Sequence, residues 1–274
     1  MPEKARRVLF AVALVVFCVS AFNFVSHHWQ EFVSSRGMDN IRHEVIIPVV
    51  VVPETGLAAA GVSAEDDDDP PFATLSVDFD RLLGINPDIV GWIYIPGGFV
   101  SYPLLQCGDN HRYLTTTFDN RQNVLGGIFL DFRNNRDFED FNTIIYGHDT
   151  RNDMMFGSLK RFEEQSYVDE HRYIHIIREH EVRVYEIFSV YETLVTRDMY
   201  TISTISFASE EGFAAYLHEI AGRSRVEAAP LNMGRIITLS TCTPTHRDKR
   251  LLVHAQLVAV HDAPSIESVE RPYD

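Results

Sequence analysis

Between residues 91 and 260 the chain breaks into eight short segments rich in β-branched and aromatic residues. They are 91–95, 99–105, 127–131, 143–146, 173–178, 182–191, 235–242 and 251–260. Clusters of Gly, Pro, Asn and Asp separate them, which reads as strands joined by turns and loops. Few helices interrupt the pattern. Phe156, Leu159 and Phe162 repeat along a helix predicted over 156–165, and Ser209 is placed to cap a helix carrying Phe213, Tyr216, Leu217 and Ile220. A shorter helix is expected over 77–83, stopped near Gly84 and Pro87. No internal repeat is visible. Eight short strands with few helices predict a mainly β domain, closed or nearly closed into a barrel.

The last two segments carry the most chemistry. In one, Ile236, Thr238, Ser240 and Cys242 share a face, with Ile237, Leu239 and Thr241 on the other. In the next, Leu251, Val253, Ala255, Leu257 and Ala259 line one face, with His254 and Gln256 opposite. Antiparallel pairing through the polar loop 243–249 would bring Cys242 and Arg250 to one rim of the sheet. A free thiol has a pKa of about 8.5, so a nucleophilic cysteine needs a base or a cation beside it. Arg250 supplies permanent charge and a planar set of donors suited to a developing oxyanion. For the proton donor two histidines compete. His148 ends the segment Thr143-Ile144-Ile145-Tyr146-Gly147, again at a rim, whereas His246 lies in the loop between Cys242 and Arg250.

The amino terminus has Lys4, Arg6 and Arg7, then an apolar run over 8–25 broken only by Ser20 and Asn23. As a helix it would span roughly 27 Å, close to the ~30 Å hydrocarbon thickness. The preceding positive charges predict a cytoplasmic amino terminus with the remainder of the chain outside. After it, 26–71 reads as an extracellular linker. Trp29 suits a membrane interface, 45–52 is apolar but too short to span, and Glu65 to Asp69 is an acidic block before Pro70-Pro71. The net charge of −15 argues against nucleic acid, whose phosphates need a basic surface. Three cysteines are too few for a disulfide framework. His171, His175 and His180 do not share a helical face, so no metal site is expected, and the thiol chemistry requires no cofactor.

Several blocks then agree in order and spacing with a known family. They are Gly91-Trp92-Ile93-Tyr94-Ile95-Pro96, Asp109-Asn110 with Tyr113-Leu114, Gly127-Ile128-Phe129-Leu130-Asp131, and Asn142 through His148. Met155-Phe156 with Leu159, Thr238-Leu239-Ser240-Thr241-Cys242, and Arg250 with Val253-His254 complete the set. Across roughly 72–262 the chain resembles class B sortases, the cell-wall transpeptidases of Gram-positive bacteria. The resemblance implies an eight-stranded sortase-type β-barrel with Cys242 as nucleophile, His148 as general acid/base and Arg250 stabilising the oxyanion and substrate. It also implies that Asn110, Leu114, Ser240 and Thr241 line the groove for a sorting signal. Two departures are visible: Asp149 follows the histidine where Asn is frequent, and the loop from Cys242 to Arg250 is short.

The organisation expected is therefore a cytoplasmic tail (1–7), a single-pass anchor (8–25), the linker (26–71), the catalytic domain (72–262) and a tail (263–274). The expected partners are proteins or pilins bearing a sorting signal, which is cleaved after Thr, and an amine of peptidoglycan or of a pilin Lys. A secreted cysteine peptidase would account for the site alone, and a non-catalytic surface binding module for the anchor and barrel alone. Val52-Pro53-Glu54-Thr55-Gly56 resembles a sorting signal of the Leu-Pro-x-Thr-Gly type within the chain's own linker. It reads either as chance composition or as a pseudo-substrate.

Overall fold

The computed structural model describes residues 3–48, 75–150, 152–195, 203–227, 229–242 and 248–263. The stretch Val52 to Gly56 and His246 lie outside these residues.

The first helix, α1 (Glu3–Val45), is a single run of 43 residues, about 65 Å at 1.5 Å per residue. Its segment Ala5–Val25 has a mean hydropathy of 2.6 and no burial against the rest of the chain, long and apolar enough to cross a bilayer. The other end of α1 is part of the fold. Ile41 and Val45, one turn apart, are buried against Leu75, Val77, Phe79 and Leu82. Strand β1 (Ile46–Pro48) continues the helix and pairs antiparallel with β2 (Leu75–Val77). The Asp78 amide donates to the Val45 carbonyl at 2.9 Å. The linker expected from residue 26 thus has a docked portion from Met38 to Pro48. Two buried side chains among polar neighbours make too sparse a stripe to announce a core helix from sequence.

Asp78 caps α2 (Phe79–Ile85) by accepting from the Arg81 amide at 3.0 Å. Val77, expected to open this helix, belongs instead to β2. The barrel then follows: β3 (Ile89–Tyr94), β4 (Ser101–Leu105), β5 (Ile128–Leu130), β6 (Asn142–Gly147), β7 (Tyr173–Ile177), β8 (Glu181–Leu194), β9 (Ile236–Cys242) and β10 (Lys249–Asp262). These are the eight segments expected from the sequence. They close in the order β10-β8-β7-β3-β4-β5-β6-β9, with β9 returning to β10. Neighbours are antiparallel except β4 with β5 and β6 with β9, which are parallel.

Alternation sorts the side chains into an inner and an outer set. Ile93, Leu104, Ile145, Ile237, Leu239 and Val253 belong to the inner core. Phe156, Leu159 and Phe162 join it from a 3-10 helix (Gly157–Glu163), which runs into α3 (Gln165–Glu170). A spacing of three suits a helix with three residues per turn, which is why this segment is 3-10 rather than the α-helix expected. Outside, α4 (Glu210–Ala221), capped by Ser209, lays Phe213, Tyr216, Leu217 and Ile220 over Phe188, Tyr191, Ile236 and Leu252.

Candidate active site

Two registers meet at the end of β9. On one side Cys242 is directly opposite Arg250 of β10. On the other, Thr241 is level with Gly147 of the parallel strand β6, so His148 leaves β6 level with Cys242. Neighbouring strands lie about 4.8 Å apart. The backbones of His148, Cys242 and Arg250 therefore occupy consecutive positions along one rim. Gly147 is required there, because a Cβ would fall 2.6 Å from Ile128 and 2.7 Å from the Phe156 ring.

The His148 ring is fixed from the side. Its Nε2 lies 2.7 Å from the carbonyl oxygen of Leu114, at the end of the 3-10 turn Arg112–Leu114. A carbonyl can only accept, so Nε2 carries a proton. That contact favours the imidazolium form, as a proton donor needs. The Leu114 side chain stands exposed beside it.

Behind the rim is a polar hub. Asp131 is almost fully buried and accepts from Arg133 Nε and Nη2 (2.8 Å each), from the Tyr146 hydroxyl (3.0 Å) and from Asn110 Nδ2 (3.0 Å). Burial alone would raise this carboxyl, but the bonds from Arg133 and Tyr146 outweigh it and hold the group below the usual carboxylate range. For Tyr146, burial foremost and then Asp131 push the phenol well above its ordinary value, with Arg133 and Arg250 opposing. Tyr146 is level with Ser240 and feels the Arg250 charge, which places it on the site face. Sequence reasoning passes over it as one more apolar-strand residue; its phenol in an aliphatic strand is the available signal.

The four expected groove residues differ in placement. Ser240 shares the face of Cys242 and is buried, and its hydroxyl has no hydrogen-bond partner among the described residues. Thr241 is buried on the opposite, inward face. Asn110 has both ends of its amide engaged, accepting from the Phe132 amide at 2.9 Å while donating to Asp131. Leu114 is the one open to solvent.

Further along the outer face of β9 the surroundings become dry. Asn142 Nδ2 donates to the Thr204 carbonyl at 2.8 Å, so its Oδ1 accepts from Thr238 Oγ1 at 2.8 Å. The Thr238 oxygen then accepts from His254 Nδ1 at 2.9 Å, and His254 Nε2 accepts from the Tyr191 hydroxyl at 3.3 Å. Burial lowers His254 to about 3, so it is neutral. Among the described residues no cluster of His, Cys, Asp or Glu could hold a metal ion.

The Sortase domain family profile matches residues 93–258, within the barrel. Sortase B of Staphylococcus aureus is 35% identical over 187 residues, covering 66% of this chain and 75% of the relative. Sortase B of Listeria monocytogenes is 37% identical over 185 residues, covering 65% and 72%. The chain is a class B sortase. Solved sortases agree with it in three dimensions. Clostridium perfringens sortase B superposes with a TM-score of 0.62 at 32% identity, over 66% of this chain and 100% of that one. The Staphylococcus aureus sortase B–substrate complex gives 0.61 at 32% identity, over 66% and 84%. The sortase described here is accordingly a cysteine transpeptidase with the eight-stranded barrel of its class.

Proposed function

We propose that this sortase cleaves a sorting signal after Thr through a thioester on Cys242 and passes the acyl group to an amine of peptidoglycan or of a pilin Lys. The observation that carries this reading is the register that sets Cys242 between His148 and Arg250. The Cys242 thiolate attacks the Thr carbonyl carbon, and the Arg250 guanidinium holds the oxyanion that develops. As the C–N bond breaks, His148 gives its proton to the departing amine, leaving the thioester. The acceptor amine then attacks the same carbon, its proton passes to His148, and the thiolate is released as the new amide forms. Leu114 and Ser240 line the approach to the thiol, joined by Tyr146. Asn110 shapes that wall through Asp131, and Thr241 packs beneath it.

Two solved relatives support this reading of substrate and acceptor. Staphylococcus aureus sortase B has been solved with a substrate, and a sortase B has been solved with triglycine. The apolar run Ala5–Val25, whose large side chains such as Phe10, Phe17 and Phe22 are exposed, serves as a membrane anchor with the barrel on the outer side. The test uses Leu-Pro-x-Thr-Gly and Asn-Pro-x-Thr peptides, with and without an added amine. Mass spectrometry should find an acyl adduct on Cys242 and, with amine present, a transferred product. Cys242→Ala should form neither. Cleavage by that variant, or hydrolysis alone however much amine is supplied, would overturn the proposal.

A further inference from the structure

The loop that follows His148 closes on itself. The Phe156 amide donates to the His148 carbonyl at 3.0 Å, Asp149 and Met155 form a β-bridge, and Thr150 Oγ1 donates to the Met154 carbonyl at 2.7 Å. Two of its residues hold left-handed backbone, Asp153 at φ 58° and Met155 at φ 52°. Such conformations cost on the order of 1 kcal/mol or more each in side-chain-bearing residues and persist only where surrounding contacts enforce them. Asp153 is enforced by ion pairs with Lys160 at 2.7 Å and Arg161 at 2.6 Å. Met155 is enforced by something else. Its amide donates to the hydroxyl of Tyr102, a buried residue of β4, at 2.9 Å.

Tyr102 is in turn held by the membrane-proximal end of α1. The Arg42 guanidinium lies over its ring, 4.8 Å from the centroid, and Arg42 Nε donates to the neighbouring Ser101 carbonyl at 2.9 Å. A planar cation stacked on a ring and bonded to the adjacent backbone fixes the strand in two directions. Close packing does not do this job alone, because a cavity of about 180 Å³ opens at the junction, lined among others by Met38, Tyr102, Leu125, Met154 and Met155.

We infer that Arg42 and Tyr102 form a brace through which the docked end of α1 positions the His148 loop, making Tyr102 a positioning residue for the catalytic histidine. The brace acts through the Met155 amide and the Asp149–Met155 bridge, and touches neither substrate nor thiol. This inference rests on the reading of His148 as the acid/base group, so its test needs a readout independent of turnover.

Full-length protein in lipid nanodiscs, with histidine labelled at 13Cε1, supplies one. His148→Ala identifies the His148 resonance by its disappearance and tests separately whether that histidine is needed for activity. Tyr102→Phe removes only the accepting oxygen and keeps the ring under Arg42. It should displace the His148 resonance and shift its titration, lower kcat about tenfold with KM changed less than twofold, and leave the melting temperature within a few degrees. Arg42→Ala should act in the same direction, and the double variant should be no worse than Tyr102→Phe, since both cut one connection. An unmoved His148 resonance in Tyr102→Phe overturns the brace, whatever the activity. So does a kcat loss that merely follows the folded fraction, or full additivity of the two substitutions.

Discussion

Two histidines on neighbouring sides of β9 show how a barrel of this kind separates stability from chemistry. His148 is at the open end of β6, partly exposed, with one ring nitrogen held by the Leu114 carbonyl. His254 is in the middle of β10, fully buried beneath α4, with both ring nitrogens spent on Thr238 and Tyr191. The residue type is the same and both neighbours lie on the outer wall. What differs is the cover: a helix turns one imidazole into a neutral structural link, and the bare rim leaves the other able to exchange protons.

The comparison breaks most visibly at His148. Replacing it with Ala should lower kcat/KM for a sorting peptide by about a thousandfold, while the thermal midpoint moves by no more than about 2 °C. Peptide turnover beside a thermal melt measures both, and a large melting shift would mean that His148 also holds the fold.

The converse is expected at His254. His254→Ala removes the partner of both Thr238 and Tyr191 inside a dry wall, which should cost about 2–4 kcal/mol, with activity per folded molecule within a few-fold of the parent. Its pH signature is also distinct. The unfolded histidine titrates near 6.5 and the folded one near 3, so between those values the unfolded state binds a proton that the native state refuses. Stability is whole above pH 6.5 and declines as pH falls toward 3, by roughly 2 kcal/mol at pH 5. Urea titrations followed by tryptophan fluorescence should show that slope in the parent and a flatter one in His254→Ala.

The smallest expected effect sharpens the rim side. Burial, reinforced by Asp153 and opposed by Lys160, raises the Asp149 carboxyl from 3.8 to about 6. A raised carboxyl favours the fold below its unfolded value and loses that contribution as pH rises through 6. Asp149→Asn should therefore gain stability above pH 6 and nothing below about pH 4. After solvent screening of this half-exposed group the gain is on the order of 1 kcal/mol or less. Melting temperatures across pH 4–8 would reveal it, and a gain that did not depend on pH would assign the effect to packing instead.

What can be read from the sequence is what is local. Alternation over a few residues marks all eight strands, and the strand ends place Cys242, Arg250 and His148 at rims before any pairing is known. The parts that escape depend on partners far along the chain. Ile41 and Val45 acquire meaning only beside Leu75 and Phe79. Asp131 becomes a hub because Asn110, Arg133 and Tyr146 converge on it from three elements. Alternation puts His254 on the face away from the aliphatic stripe, correctly, yet nothing local announces that α4 seals that face. Tyr102 has the same character, an ordinary strand aromatic whose hydroxyl matters only once the His148 loop is folded against it.

The parallel pairing of β6 with β9 has a consequence for how such a molecule can change. Strands running in the same direction deliver their last residues to a common edge, whatever lies between them in sequence. Everything from the turn after Gly147 to the start of β9 can lengthen, shorten or exchange its helices without drawing imidazole and sulfur apart. The substrate-facing walls are thus open to remodelling in evolution or by engineering, while the reacting pair stays anchored to the hydrogen-bond ladder.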